Sequence, residues 1–426
     1  MDIRKIVNEL EGCPCGRAHT VDIKAVEIGH GLKCRVAEIL SENSFPKNIL
    51  VVADENTLRA SDGIIGILTD GGFNVKLKLY KSFREPEVCF VNEIACECAD
   101  CDGILSVGTG SLNDICRRAA LLSDKEFAIF ATAPSMDGFA SGTSPIIENN
   151  IKSTLPARQP SIIIADTEIL AASPAELKSA GFGDVIGKLT AIADWRISNL
   201  LSGEYYCERI AQLVRDALAR LISMADRVTE NDEEVAGFIM EVLVLTGLAM
   251  KLADVSRPAS GAEHMISHFW GMKKLEDGKI ADYHGKKVGV ATLMLVEAYR
   301  NLILRDDVSF KEDDPDWNAV YSAYGENFRD YVKEMNVPSA TEGLSPALLE
   351  ENWCGICRII DEELPTADEL RSILLRAGAA TEISEIDIDK ELALSGLLYH
   401  PYMHHKIILS RLLPMTNITI DSLIEV

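Results

Sequence analysis

The sequence predicts an α/β domain built on a parallel sheet with flanking helices, followed by an all-α domain. Three observations carry this. Short β-rich runs alternate with helical patterns from about residue 48 to 165, and strand signals nearly vanish after about residue 175. A chain of 426 residues is also too long for one average hydrophobic core. We therefore expect one domain over residues 1–175 and a second over residues 176–426.

The strand-like runs are NILVVAD (48–54), NVKLKLY (74–80), GILSVG (103–108), FAIFAT (127–132) and SIIIAD (161–166). Gly, Pro, Asp or Asn bounds each run, and the connections are long enough for crossover helices, which makes the sheet parallel. In the second half, CERIAQLVRDALARLISMADRV sets Ile210, Leu213, Val214, Ala217, Leu218, Leu221 and Ile222 on one helical face. Further helices are expected around 234–254, 258–272, 285–303 and 316–335, with helical patterns again in RSILLRAGAAT and HHKIILSRLL and a less regular tail beyond 340.

Composition excludes whole classes of partner. The formal charge is 42 − 66 = −24, which leaves no electrostatic footprint for nucleic acid or anionic lipid. An anionic small ligand must then be held by helix N-termini, exposed amides and a few cations. The longest apolar stretch, from Gly237, contains Glu241 and reads as a buried helix, so no membrane span is expected. The first residues, MDIRKIVNELEG, lack an apolar signal core, and the cysteine count of 11 is odd. Both point to a cytoplasmic protein without a disulfide framework. Cys13-Pro-Cys15 with His19, Cys96-x-Cys98-x-x-Cys101 and Cys354-Gly-Ile-Cys357 can be read as accessory metal or redox clusters, but structural thiols are the favoured reading.

Two polar loops follow successive strands. In GILSVGTGSLND, Gly108 and Gly110 permit a tight turn against a pyrophosphate, Ser111 can cap the following helix, and Asp114 stands where a capping box needs its acid. In FAIFATAPSMDGFASG, Thr132, Ser135, Asp137 and Ser141 stand where strand ends face a ligand, or serve simply as turn residues. Asp54 closes the first strand, where it either bonds a ribose hydroxyl and disfavours a 2′-phosphate, or makes a turn. The unit reads as a dinucleotide site without the spaced GxGxxG of the two-lobed fold.

Downstream, three of eight histidines fall within 21 residues: His264, His268 and His284. His264 and His268, four apart, share a helical face and form either a bidentate pair or one ligand and one substrate contact. Glu263 is expected to face elsewhere, so this is not HExxH. His284 sits at an expected helix start, and Asp184 lies upstream in the glycine setting GFGDVIGK. A carboxylate and imidazoles suit a borderline divalent ion such as Zn²⁺ or Ni²⁺. Arg257, Lys188, Lys286 and Lys287 are candidates to grip a phosphate, or else ordinary surface cations; Tyr399-His400-Pro401 and His404-His405 read as a solvated or interface face.

GTGSLND, TAPSMDGFAS, GFGDVIGKLTAIADW, SRPASGAEHMISHFW and HGKKVGVAT, in this order, resemble the sn-glycerol-1-phosphate dehydrogenases. These belong to the iron-containing-alcohol-dehydrogenase and dehydroquinate-synthase-like superfamily. The resemblance spans about residues 48–300, and the length with CPCGRAH resembles the bacterial branch. It implies a dehydroquinate-synthase-like fold and metal ligands Asp184, His264 and His284. It implies NAD, with NADP possible, held by Asp54, the turn Gly108, Thr109, Gly110, Ser111 and Leu112, the stretch Thr132, Ala133, Pro134 and Ser135, and Ser141. Asp137, Asp184 and His268 would contact substrate, which moves His268 off the metal. Thr109 departs from the third glycine common in the superfamily. The implied reaction is reduction of dihydroxyacetone phosphate to sn-glycerol 1-phosphate, its carbonyl polarised by the metal; a homodimer is expected as the commonest assembly of a cytosolic enzyme. Glycerol dehydrogenase and a dehydroquinate-synthase-like cyclase are the rivals; a silent binding protein is disfavoured because Asp184, His264 and His284 are all present.

Overall fold

A computed structural model describes residues 1, 3–148 and 151–425. Eight strands occur among them: β1 (Ala25–Gly29), β2 (Asn48–Asp54), β3 (Asn74–Tyr80), β4 (Gly103–Gly108), β5 (Glu126–Ala131), β6 (Thr143–Glu148), β7 (Ile151–Pro156) and β8 (Ile162–Asp166). Six form one parallel sheet in the order β1-β8-β5-β4-β2-β3, and β6 and β7 form a separate antiparallel hairpin. All five runs expected from sequence are strands of this sheet. The edge strand β1 was not anticipated. AVEIG is short, and only its Val26 is buried, so it lacks the continuous apolar signature that parallel strands buried on both faces carry in β2, β4, β5 and β8.

Compact packing does not follow the single cut expected at 175/176. One unit comprises Met1–Val185 and Ala219–Asp254, the other Ile186–Leu218 and Val255–Val426. Ala219–Asp254 joins the sheet unit because the helix Glu233–Ala253 is apolar almost all round. It packs on the helix Thr167–Ala172, the turn Asp137–Ala140 and strands β1 and β8. Gly237 permits that approach, since a Cβ there would meet Thr167 Cγ2 at 2.8 Å. By length and composition this helix is apolar enough to cross a membrane, but 83% of its most apolar window is buried inside the protein. It is a core helix, as its Glu241-interrupted sequence suggested.

No strand occurs among the described residues of the second unit, which is helical as expected. Its framework includes Lys188–Ser202, Ala262–Glu276, His284–Ile303, Pro346–Glu363, Ala367–Arg376 and Lys390–Tyr399. The stretch HHKIILSRLL is less helical than its pattern suggests: only Leu409–Leu412 is α-helix, and Pro414 falls in the 3₁₀ turn that follows.

Candidate active site

In a parallel sheet every strand presents its C-terminal end at one edge, and ligands bind where the strand order reverses. Here β2 leads outward to β3, while β4 leads the other way to β5 and β8, so the reversal falls between β2 and β4. Asp54 ends β2 and Gly108 ends β4. The topology therefore puts the two expected nucleotide elements on either side of the switch point.

The helix Gly110–Leu122 begins directly after β4, with Gly110 at φ +49°. Its N-cap is Thr109, not Ser111, and Asp114 lies too deep to complete a capping box. Ser111 instead donates to the Arg84 carbonyl at 2.6 Å. Asp114 is buried beside Arg117 at 3.8 Å; burial pushes its carboxyl up to about 6, against the pull of the guanidinium. No side-chain cap hydrogen bond occupies the start of this helix, and its Leu112 amide donates to the Thr109 carbonyl at 3.2 Å; a helix start of this kind suits an anion.

The second loop joins the first through a hydrogen bond between Thr109 Oγ1 and Ser135 Oγ at 2.9 Å, and the Thr132 amide donates to the Gly108 carbonyl. Thr132, Ala133, Pro134, Ser135 and Asp137 are all buried. Ser141 makes a local turn with Thr143, and the buried Arg117 donates to both of their carbonyls. Asp54 caps the helix Glu55–Ala60: Oδ1 accepts the amides of Asn56 and Thr57, and Thr57 Oγ1 accepts the Asp54 amide in return. The turn role of Asp54 is thus present, and it leaves Oδ2 outside the cap.

Asp184 lies on the helix Ala175–Ile186, fully buried, and its Oδ2 accepts the Asp137 amide at 3.0 Å. One turn earlier, Gly181 explains the glycine setting. A Cβ there would lie 1.9 Å from the Pro134 carbonyl oxygen. Only glycine lets this helix lie flat on the Thr132–Asp137 loop.

The three histidines converge in the helical unit. His264 and His268 lie on Ala262–Glu276, and His284 opens His284–Ile303, as its expected helix start required. Ring centroids are 5.1 Å apart for His264 and His284, 5.6 Å for His268 and His284, and 6.3 Å for His264 and His268. Glu263 does not face elsewhere, contrary to the sequence expectation. The fully buried carboxylate accepts from His264 Nδ1 at 2.7 Å and from the Gly261 amide at 2.7 Å through Oε1, and from Thr190 Oγ1 at 2.6 Å through Oε2. Burial opposes its charge, but these donors outweigh it and hold the carboxyl below its ordinary range. With Nδ1–H committed to Glu263, Nε2 is the lone-pair nitrogen of His264, the second-sphere arrangement that metal-ligating imidazoles use. Sequence adjacency hid this contact, because it depends on the strand-like turn of Gly261 before the helix; a Cβ there would meet Ala191 Cα at 2.8 Å.

Carboxylate and imidazole are donor types that a divalent ion takes, and the His264 ring is oriented for such a role. The cation candidates fare differently. Arg257 is buried, not superficial, and is held by Glu204, Ser198 and the Ile407 carbonyl. Lys188 and Lys287 are also buried, and Lys286 pairs with Asp282 at 2.9 Å. His400 is a core residue, not a solvated one: Nδ1 faces the Gly396 and Leu397 carbonyls and Nε2 faces Ser410 Oγ.

Sheet topology, switch-point loops and a following helical unit define a class, and comparison with known proteins agrees. Residues 27–174 match the family model for iron-containing alcohol dehydrogenases. The sulfoacetaldehyde reductase of Bifidobacterium kashiwanohense, solved with NAD⁺, shares the fold with a TM-score of 0.58 at 16% identity, covering 89% of this chain and 90% of that one. The glycerol-1-phosphate dehydrogenase (NAD(P)⁺) of Bacillus subtilis is 35% identical over 75% of this chain and 84% of its own length. That of Bacillus licheniformis is 30% identical over 93% of this chain and 90% of its own. The chain belongs to the glycerol-1-phosphate dehydrogenase family, oxidoreductases of the dehydroquinate-synthase-like fold.

Proposed function

We propose that this protein catalyses the reversible, NAD(P)H-dependent reduction of dihydroxyacetone phosphate to sn-glycerol 1-phosphate. The observation that carries the chemistry is the convergence of His264, His268 and His284, with His264 locked by the buried Glu263. The substrate follows from the glycerol-1-phosphate dehydrogenase activity for which the relatives are named.

In this reading the start of Gly110–Leu122, with Gly108, Thr109, Ser111 and Leu112, holds the pyrophosphate. Asp54 offers Oδ2 to a ribose hydroxyl, which favours NAD over NADP. Thr132, Ala133, Pro134, Ser135 and Ser141 line the remainder of the cofactor. Asp184, His264 and His284 hold one divalent ion, Zn²⁺ or Ni²⁺. When bound, such an ion supplies Lewis-acid polarisation of a carbonyl, and the nicotinamide supplies the hydride. Glu263 keeps the His264 proton on Nδ1, so Nε2 stays a lone-pair donor. Asp137, Asp184 and His268 contact the substrate; His268 orients it, and His268 or a water chain supplies the proton. We place the enzyme in the cytoplasm, where an odd number of cysteines, 11, can stay as thiols. A homodimer, the commonest closed assembly of soluble oligomers, is the assembly we assign.

The test is to strip metal with a chelator, verify its removal, and restore Zn²⁺ or Ni²⁺. NADH oxidation is then followed with dihydroxyacetone phosphate and with dihydroxyacetone. Activity should vanish, return with metal, and require the phosphate, with sn-glycerol 1-phosphate as the product by chiral analysis. Full activity without metal refutes the metal role, equal use of dihydroxyacetone favours a glycerol dehydrogenase, and product without net NADH consumption favours a cyclase.

A further inference from the structure

The cysteine-rich start of the chain is not used by the reaction above. Residues 13–19 carry Cys13, Cys15 and His19, and each offers a ligand atom within 4.8 Å of the others. Cys15 Sγ lies 3.2 Å from His19 Nε2. Cys13 and His19 are buried and Cys15 is half-buried. Left-handed glycines flank the pair of thiols, Gly12 at φ +64° and Gly16 at φ +79°, and fold the segment back on itself. None of these three residues belongs to the set assigned to the catalytic ion.

The other face of His19 is fixed. Its Nδ1 lies 2.7 Å from the Leu252 carbonyl, and Arg17 Nη1 donates to the Ala253 carbonyl at 3.1 Å. Those carbonyls end the helix Glu233–Ala253, whose last turn has no amides of its own to offer them. A carbonyl only accepts, so Nδ1 carries the proton and Nε2 presents its lone pair toward Cys15. A ring nitrogen tied to a backbone carbonyl while the other faces thiols is how proteins set a histidine as a metal ligand. The spacing also suits an ion. With Zn–S near 2.3 Å and Zn–N near 2.0–2.1 Å, tetrahedral geometry puts S and N about 3.6 Å apart. Seating zinc needs an opening of roughly 0.4 Å from the 3.2 Å separation.

We propose that Cys13, Cys15 and His19 supply three ligands to a zinc ion of structural type, whose fourth position a further donor fills. Two thiolates and an imidazole are a soft donor set that selects zinc over calcium or magnesium, and binding releases the two thiol protons. The ion ties residues 13–19 to the C-terminal turn of Glu233–Ala253, which packs on the sheet. Its effect is therefore on the stability of the sheet unit.

The full chain is purified without chelator and loaded with Zn²⁺ or Co²⁺. In a His264→Ala background the catalytic ion is absent, and about one equivalent of metal per chain should remain. Co²⁺ should then show thiolate-to-cobalt charge-transfer absorption. Cys15→Ser or His19→Ala should remove both the equivalent and the band, whereas Cys34→Ser, at an exposed thiol, should remove neither. X-ray absorption of the zinc-loaded chain should count at least two sulfur neighbours, a readout that needs no variant to fold. A single equivalent in the wild-type chain that Cys15→Ser removes sinks the catalytic-metal reading and leaves this one standing. A zinc-loaded chain with fewer than two sulfur neighbours, a Cys13–Cys15 disulfide in its place, or a cobalt band unaltered in Cys15→Ser overturns the proposal.

Discussion

Gly181→Ala is the smallest change that should damage this enzyme severely. The new methyl would lie 1.9 Å from the Pro134 carbonyl oxygen, where real Cβ contacts stay beyond 3.0 Å. Helix and loop must separate by at least 3.0 − 1.9 = 1.1 Å, and the opposing atom is backbone, so no side chain can rotate away. Overpacking of this kind costs about 1–3 kcal/mol. The same displacement pulls Asp184, three residues on, away from the Asp137 amide that its Oδ2 now accepts at 3.0 Å. It also shifts Pro134 and Ser135 in the proposed cofactor loop. A misplacement near 1 Å can cost about 10²-fold in turnover. Urea unfolding measures the first effect, and steady-state NADH oxidation with dihydroxyacetone phosphate measures the second. A variant within about 0.5 kcal/mol of wild type in stability and within about twofold in kcat/KM would show that this helix–loop contact positions nothing.

Glu263→Gln keeps the volume of the side chain but weakens its hold on the His264 Nδ1 proton, and metal affinity by competition with a chelator should fall about 10–100-fold; an unchanged affinity excludes the orienting role. Asp54→Asn retains an acceptor for the Asn56 and Thr57 amides but removes the charge. One unit of repulsion in a wet site is worth about 1 kcal/mol, so the NADPH-to-NADH ratio of kcat/KM should rise about fivefold, and no rise removes Asp54 from the ribose. Burial pushes His400 down from 6.5 to about 4, against the pull of the Gly396 and Leu397 carbonyls and of Glu263. The folded protein therefore keeps this ring neutral while the unfolded chain protonates it below 6.5. Its stabilisation is complete above pH 6.5 and is lost as pH falls through about 4, a change of up to about 3 kcal/mol. The urea-unfolding free energy of His400→Gln should lose correspondingly less than wild type across that interval; parallel pH profiles for the two proteins would contradict it.

Much of the framework was legible because its signals are local. Strands buried on both faces must be apolar throughout, and β2, β4, β5 and β8 are; the glycine turn after β4 and the histidine spacing of four are equally short-range. What failed depended on distant partners. Ser111 resembles a cap in sequence, yet Thr109 holds that position because the helix starts at Gly110, directly after β4. Arg257 and His400 resemble surface groups until Glu204 and Ser410 close over them. The compact units differ from a single cut at 175/176 because Glu233–Ala253, helical in pattern like everything after it, has no polar face broad enough for solvent and packs within the sheet unit.

By itself the sequence determined the order of elements, the chemistry of the donor groups and the glycine that each close approach demands. Only the tertiary structure decided that Glu263 supports His264, that Asp54 and Gly108 flank the point where strand order reverses, and that His19 is held by the end of a helix more than two hundred residues away. Propensity and periodicity act over a few residues. Hydrogen bonds to buried carboxylates and helix-terminal carbonyls depend on which distant groups the packed chain leaves unsatisfied, and that is a property of the whole fold.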